Sequence, residues 1–284
     1  MVATFVIFLR EGIEASLIAA ILAAYLTKIG QRPAIKIVVA GMVSAALLAG
    51  IAGVAIYATV RTWADTRAQT IFETIMYLLA AFVLVSMSLW MGRHARSMSS
   101  ELKTQVEGAL SKGERRGLFF LAFQATGRET IEATVFTLAV VFGPTGKGAL
   151  LGGALGLVVA SGIAIAMFKF GLKVNVSSFF KVIGWVLTIF GGAMAANSVE
   201  NLQGLGWLPF LDTPLWNTNS VIDGSSQLGD LLHAFVGYSA EPTALQLLTF
   251  VGYVATSLWL LASQRKRLDR KAAAAVTPTL PAAA

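Results

Sequence analysis

The chain has 284 residues, 56% of them hydrophobic and 13% charged, with a formal net charge of +7 and mean hydropathy +0.72. Soluble domains carry about 25% charged residues, so the composition excludes an ordinary soluble protein. It has no cysteines, which excludes disulfides, thiolate metal sites and Cys nucleophiles and leaves oxygen or nitrogen ligands for any bound metal.

Uninterrupted apolar runs predict seven bilayer-spanning helices, at about 2–27, 34–60, 70–91, 118–142, 148–170, 178–199 and 244–263. The first carries Arg10-Glu11-Gly12-Ile13-Glu14-Ala15. With no basic leader, and with charges where a signal peptide is apolar, it is expected to be retained. The second has small residues at Gly41, Ala45, Ala49 and Gly53. The third opens with Glu73 and ends near Met87, Trp90 and Met91. A mixed-charge stretch, 93–116, predicts a helical connection solvated on one face. The fourth span carries Arg128-Glu129-Thr130-Ile131-Glu132-Ala133, matching the first motif at five of six positions. The fifth has Gly148, Gly152, Gly156 and Ala160, and Glu200 follows the sixth.

A loop at about 200–243 contains no Lys or Arg, and within it Ser226 to Gly237 is expected to form a short helix on the outer surface. After the seventh helix, residues 264–284 read as a basic and then low-complexity tail, disordered and cytoplasmic. With the N-terminus outside, 17 of the 22 Lys and Arg fall on the cytoplasmic side and three outside. This bias orients the chain with its N-terminus out and C-terminus in, in a cell inner or plasma membrane. Basic residues placed as topology signals argue against nucleic acid as a partner.

Spans 1–3 (about 2–91) and 4–6 (about 118–199) thus read as two copies of one unit. Because three is odd, the second copy enters the membrane from the opposite side. The expected fold is all-α: a 3+3 inverted repeat plus one extra helix, a permease unit over 1–263 of the kind that places substrate near the midplane. Small-xxx-small ridges serve close helix packing in lipid.

A charge at the bilayer centre costs at least about 2.5–3.5 kcal/mol, so these six must face one another. At 100° per residue, Glu11 and Glu14 share a helix face and Arg10 lies one turn from Glu14; Arg128, Glu129 and Glu132 repeat this. Four Glu and two Arg leave a formal −2, which suits a cation. Glu11, Glu14, Glu129 and Glu132 are therefore the candidate metal ligands, with Arg10 and Arg128 orienting them. Hard carboxylate oxygens suit hard ions such as Fe³⁺ and suit Cu(I) poorly. Gly12 would admit a neighbouring backbone or a hydrated ion. A purely structural salt-bridge network is the alternative.

The paired Arg-Glu-x-x-Glu motifs resemble those of the oxidase-dependent iron permeases, and the chain is similar to the bacterial branch of that family over roughly 1–263. Glu73, Met87 and Trp90-Met91 look like its third span, and Leu215-Trp216-Asn217 to Gly229 with Gly237-Tyr238 and Pro242 like its external loop. Many members carry Gly at the place of Thr130. The resemblance implies import of ferric iron through the four Glu, no resident cofactor, no enzymatic activity, and as partners an external ferroxidase or peroxidase or a periplasmic iron-binding protein. Another cargo (Fe²⁺, Mn²⁺, a heavy metal or protons) is one alternative. An intramembrane metal-dependent enzyme is another, opposed by the lack of any His-Glu-x-x-His pattern.

Glu73 and Glu200 are candidates for an entry path, or else an interfacial Glu and a loop cap. Asp212, Asp223, Asp230 and Glu241 either concentrate cations outside or serve as turn residues. His94 and His233 stand apart from the motifs. Trp63, Trp90, Trp207, Trp216 and Trp259, near span ends, read as interfacial anchors.

Overall fold

Long apolar runs can satisfy their backbone groups inside a membrane only as helices, and helices are what these runs form. The computed structural model describes residues 1–94, 98–111, 115–142, 148–170, 176–222 and 226–276. The helices are α1 (Val2–Lys28), α2 (Ile35–Arg61), α3 (Arg67–His94), α4 (Met98–Ser111), α5 (Arg115–Phe142), α6 (Ala149–Phe170), α7 (Val176–Gly204), α8 (Gln227–Val236) and α9 (Ala244–Val276). A 3₁₀ turn at Arg32–Ala34, with Pro33 near its start, separates α1 from α2. Among the described residues, five stretches are long and apolar enough to cross a membrane: Arg32–Arg61, Arg67–Met91, Ala149–Ala166, Val182–Gly204 and Ala244–Leu268. α1 and α5, at 27 and 28 residues, are also long enough, but each is broken by an Arg and two Glu. The outer face of α2 leaves Val43, Leu47, Leu48, Ile51 and Val54 at least half exposed, a surface for lipid and not for water.

Glycine contacts show how the helices pair. A Cβ on Gly156 of α6 would lie 2.6 Å from the Phe5 carbonyl oxygen of α1, and one on Gly41 of α2 would lie 2.5 Å from that of Phe119 on α5. Gly12 faces Ala160 with equal intimacy, its added Cβ falling 2.7 Å from that side chain. Gly12 therefore serves the approach of α6. Contacts advance in the same sense along both partners, so α1 runs parallel to α6 and α2 parallel to α5. α1 and α5 are antiparallel: Ala3 and Ile7 cluster with Ala139 and Val140, while Leu22 and Leu26 cluster with Leu118. α3 lies against α7, and α9 closes the bundle on both, with Tyr253 Oη donating to the Ala81 carbonyl at 2.7 Å and Gln264 Nε2 to that of Leu89 at 2.7 Å.

The 93–116 connection is helical over α4, and its apolar face is docked. Leu102 and Val106 (i, i+4) are buried among Ile18, Leu22, Leu26, Leu118 and Ala122, and the Tyr25 hydroxyl donates to the Glu107 carboxylate.

Two elements depart from expectation. α8 forms where predicted, capped by the Ser226 hydroxyl accepting from Gly229 N–H and by Gly237 at φ 66°. Gly237, however, backs onto Ala193, eleven residues before the end of α7. At 1.5 Å per residue that is roughly 16 Å along the helix, so this segment descends beside α7 instead of lying across its end. α9 continues thirteen residues beyond the expected limit of 263, to Val276. Its Arg, Lys, Leu and Ala are strong helix formers, which outweighs the absence of an apolar pattern. Residues 277–284 lie outside the described part.

Candidate functional site

The two motifs meet because α1 and α5 cross at the level of their charged residues, each with its motif near mid-helix. Arg10, Glu11 and Glu14 are 3%, 4% and 6% exposed, and Glu129 and Glu132 are 5% and 9%. Ligand-capable oxygens of Glu11, Glu14 and Glu129 all lie within 4.8 Å of one another. The fourth expected ligand, Glu132, stands beside this group: its Oε1 accepts from Arg128 Nε at 2.9 Å, and it remains within electrostatic reach of Arg10 and Glu14.

Arg10 is held by its own motif. Its Nη1 donates to Glu11 Oε1 at 2.8 Å, and its Nε lies 3.2 Å from Glu14 Oε1 as an ion pair without hydrogen-bond alignment. On its far side Nη2 meets the Met87 sulfur at 2.6 Å and the Met91 sulfur at 3.7 Å. Arg128 has only Glu132 as an ion partner among the described residues, and its guanidinium lies 3.8 Å from the centre of the Trp90 ring.

Trp90 is therefore a support for a motif arginine, which corrects its reading as an interfacial anchor. Met87, Trp90 and Met91 fall at i, i+3 and i+4 and so share one face of α3. That spacing was the available signal for their role. The sulfurs also widen the donor chemistry beyond the oxygen and nitrogen expected from a chain without cysteine.

A second property follows from the pairing. Buried Glu11 Oε2, Glu14 Oε1, Glu129 Oε2, Glu132 Oε2 and the Thr126 hydroxyl have no hydrogen-bond donor. Buried carboxylate oxygens are strongly destabilising unless something positive faces them. Counted as fully ionised, four carboxylates against two guanidiniums sum to a formal −2.

The other expected residues lie elsewhere. Glu73 accepts from Gln69 Nε2 at 2.7 Å. With Glu200 it lies within reach of buried Tyr77, apart from the carboxylate group. Glu241 accepts from Asn217 Nδ2 at 2.6 Å and Asn219 Nδ2 at 3.3 Å, so it orders the loop. Asp212 is exposed. His233 Nδ1 bonds the Tyr238 carbonyl at 2.9 Å, away from the motifs. Asp223 and the side chains of His94 and Asp230 lie outside the described residues.

The family model described as iron permease FTR1 matches residues 1–263. A ferrous iron permease EfeU of Yersinia pestis is 30% identical over 263 residues, 92% of this chain and 93% of its own length. One from Yersinia pseudotuberculosis serotype I is 31% identical over 266 residues, with the same coverage. One from Escherichia coli O6:H1 is 28% identical over 260 residues, 91% of this chain and 94% of its own. No solved structure matches the chain.

Proposed function

The chain belongs to the iron permease FTR1 family, and on that premise we propose that it carries iron across its membrane between α1 and α5, through Glu11, Glu14, Glu129 and Glu132. It is a multi-pass membrane protein and by family a transporter rather than an enzyme. The observation that carries the proposal is the set of four buried carboxylate oxygens without donors, one on each motif Glu. Glu14 Oε1 already faces Arg10 Nε at 3.2 Å, and the other three, without a hydrogen-bond donor, leave a negative pocket suited to an arriving cation.

The two halves act as an inverted repeat within a permease unit over 1–263. The parallel pairings of α1 with α6 and α2 with α5, which exchange under the repeat, support this. Beyond that unit the basic residues between Arg265 and Lys271 lie on the continuation of α9. The Lys and Arg distribution supports an N-terminus outside and a C-terminus in the cytoplasm. Glu73 and Glu200 belong to the outer approach, and α4 closes the cytoplasmic end. Delivery by an external ferroxidase or peroxidase, or by a periplasmic iron-binding protein, rests on the resemblance noted above. Inward movement is downhill in the membrane potential by about 2.3 kcal/mol per charge per 100 mV.

Ferrous iron fits the site best as the ion bound. Two positive charges neutralise the formal −2, two thioethers stand behind Arg10, and the relatives quoted are called ferrous iron permeases. Ferric iron, expected from the sequence, is the second reading. The hardness of the four carboxylates favours it.

Vesicles reconstituted with this chain alone test the proposal, with radio-iron offered either as Fe²⁺ kept reduced by ascorbate or as Fe³⁺ citrate. Accumulation above protein-free vesicles, lost in Glu14→Gln, is expected. Equal accumulation with and without protein defeats the permease reading, and faster entry of Fe³⁺ defeats the ferrous one.

A further inference from the structure

An all-carboxylate cage holds Mg²⁺ and Ca²⁺ as readily in kind as it holds iron, because these ions take oxygen ligands by preference. Selection among them needs a donor that iron accepts and alkaline earths do not. Thioether sulfur is such a donor, since softness sorts transition metals from Mg²⁺ and Ca²⁺.

Around Arg10 the structure gathers both kinds of donor. Glu11 Oε1 at 2.8 Å, Glu14 Oε1 at 3.2 Å and the Met87 sulfur at 2.6 Å converge on one guanidinium, with the Met91 sulfur behind at 3.7 Å. Met87 is 2% exposed. A buried methionine that only filled space could aim its sulfur anywhere among apolar neighbours. This one is aimed at the single cation shared by two would-be ligands.

We propose that Met87 is a specificity-determining ligand: when Fe²⁺ arrives and the Arg10 guanidinium withdraws, the Met87 thioether joins Glu11 and Glu14 on the metal and selects it against Mg²⁺ and Ca²⁺. Arg10 is then a tethered cation that keeps these donors gathered while the site is empty. The inference rests on the ferrous reading above, and it adds a residue that the Arg-Glu-x-x-Glu motifs do not contain.

The chain has no cysteine, so sulfur next to bound iron can come only from methionine. X-ray absorption at the iron edge of the purified full chain loaded with Fe²⁺ is expected to show a sulfur neighbour, lost in Met87→Leu and kept in Met91→Leu. A wild-type spectrum with oxygen neighbours only overturns the proposal without any variant. In vesicles, Met87→Leu, which conserves volume, is expected to make Fe²⁺ uptake about tenfold more sensitive to competing Ca²⁺ and Mg²⁺. Unchanged competition in Met87→Leu overturns Met87 while leaving the permease standing. Wild-type vesicles that take up no iron overturn the permease reading itself, and this inference with it.

Discussion

The two motif copies share five of six residues yet sit in different surroundings. In α1, Arg10 is 3% exposed, bound to both Glu of its own motif and backed by two sulfurs. In α5, the Arg128 side chain is 34% exposed, paired among the described residues with Glu132 alone and laid on Trp90. The first copy thus sends both carboxylates into the close group, whereas the second sends only Glu129. Like sequences make like helices. What each copy pairs with is decided by α3, which bears on both arginines from one face. The two motif copies supply the charges, and the helix between the motifs makes them unequal.

That inequality is broken most directly at the carboxylates. Glu14→Gln and Glu129→Gln are each expected to cut iron uptake about 10²-fold, the scale on which a single donor in a buried electrostatic site acts. Glu132→Gln is expected to cost about tenfold, because Glu132 reaches the ion from the side and is already satisfied at one oxygen by Arg128. Initial uptake rates at matched protein level measure all three. If Glu132→Gln matched Glu129→Gln, the four carboxylates would form one symmetric cage and the asymmetry would have no functional meaning.

The arginines sharpen the same contrast on stability. Arg10→Gln leaves Glu11 and Glu14 without their cation in a buried setting, which typically costs about 3–5 kcal/mol. Arg128→Gln is expected to cost clearly less, since solvent or headgroups screen a side chain that is one-third exposed. Thermal unfolding in detergent compares the two, and equal losses would mean that the two arginines share one environment. The helix pairs, by contrast, should behave alike. Gly156→Val and Gly41→Val each push a side chain into a facing carbonyl, at about 1–3 kcal/mol apiece by the usual scale of overpacking. A large difference between them would place the asymmetry in the scaffold as well as in the site.

Much of this was legible in advance, for a physical reason. Charges in apolar helices must turn inward, so Arg10, Glu11 and Glu14, like Arg128, Glu129 and Glu132, announce a shared interior. The spans expected to end at about 27, 60 and 142 stop within one residue of the helix ends at Lys28, Arg61 and Phe142. The missing parts depend on tertiary structure. Whether Trp90 meets lipid headgroups or Arg128 depends on the rotation of α3 about its axis, which no local pattern states. Gly12 left a neighbouring backbone and an ion equally open, because Ala160, which decides between them, lies in another helix. The descent of α8 beside α7 is set by Gly237 against Ala193, a contact between distant parts of the chain. The length of α9 beyond 263 follows from propensity, a weak cue that the apolar pattern had overshadowed.

The smallest expected effect isolates the second copy. Trp90→Leu keeps an apolar side chain on α3 but removes the π face under Arg128, an interaction worth about 0.5–2 kcal/mol. Arg128 would then hold Glu132 less firmly, while Arg10, Met87 and the carboxylates of α1 stay as they are. Uptake is expected to fall by a few-fold at most, and resistance to Ca²⁺ competition should not change, because the sulfur donors lie on the Arg10 side. Trp90→Phe, which returns a ring, should recover most of the loss. A Trp90→Leu protein that instead lost its discrimination against Ca²⁺ would show that the two arginines act through one another, and the division of labour between the copies would have to be given up.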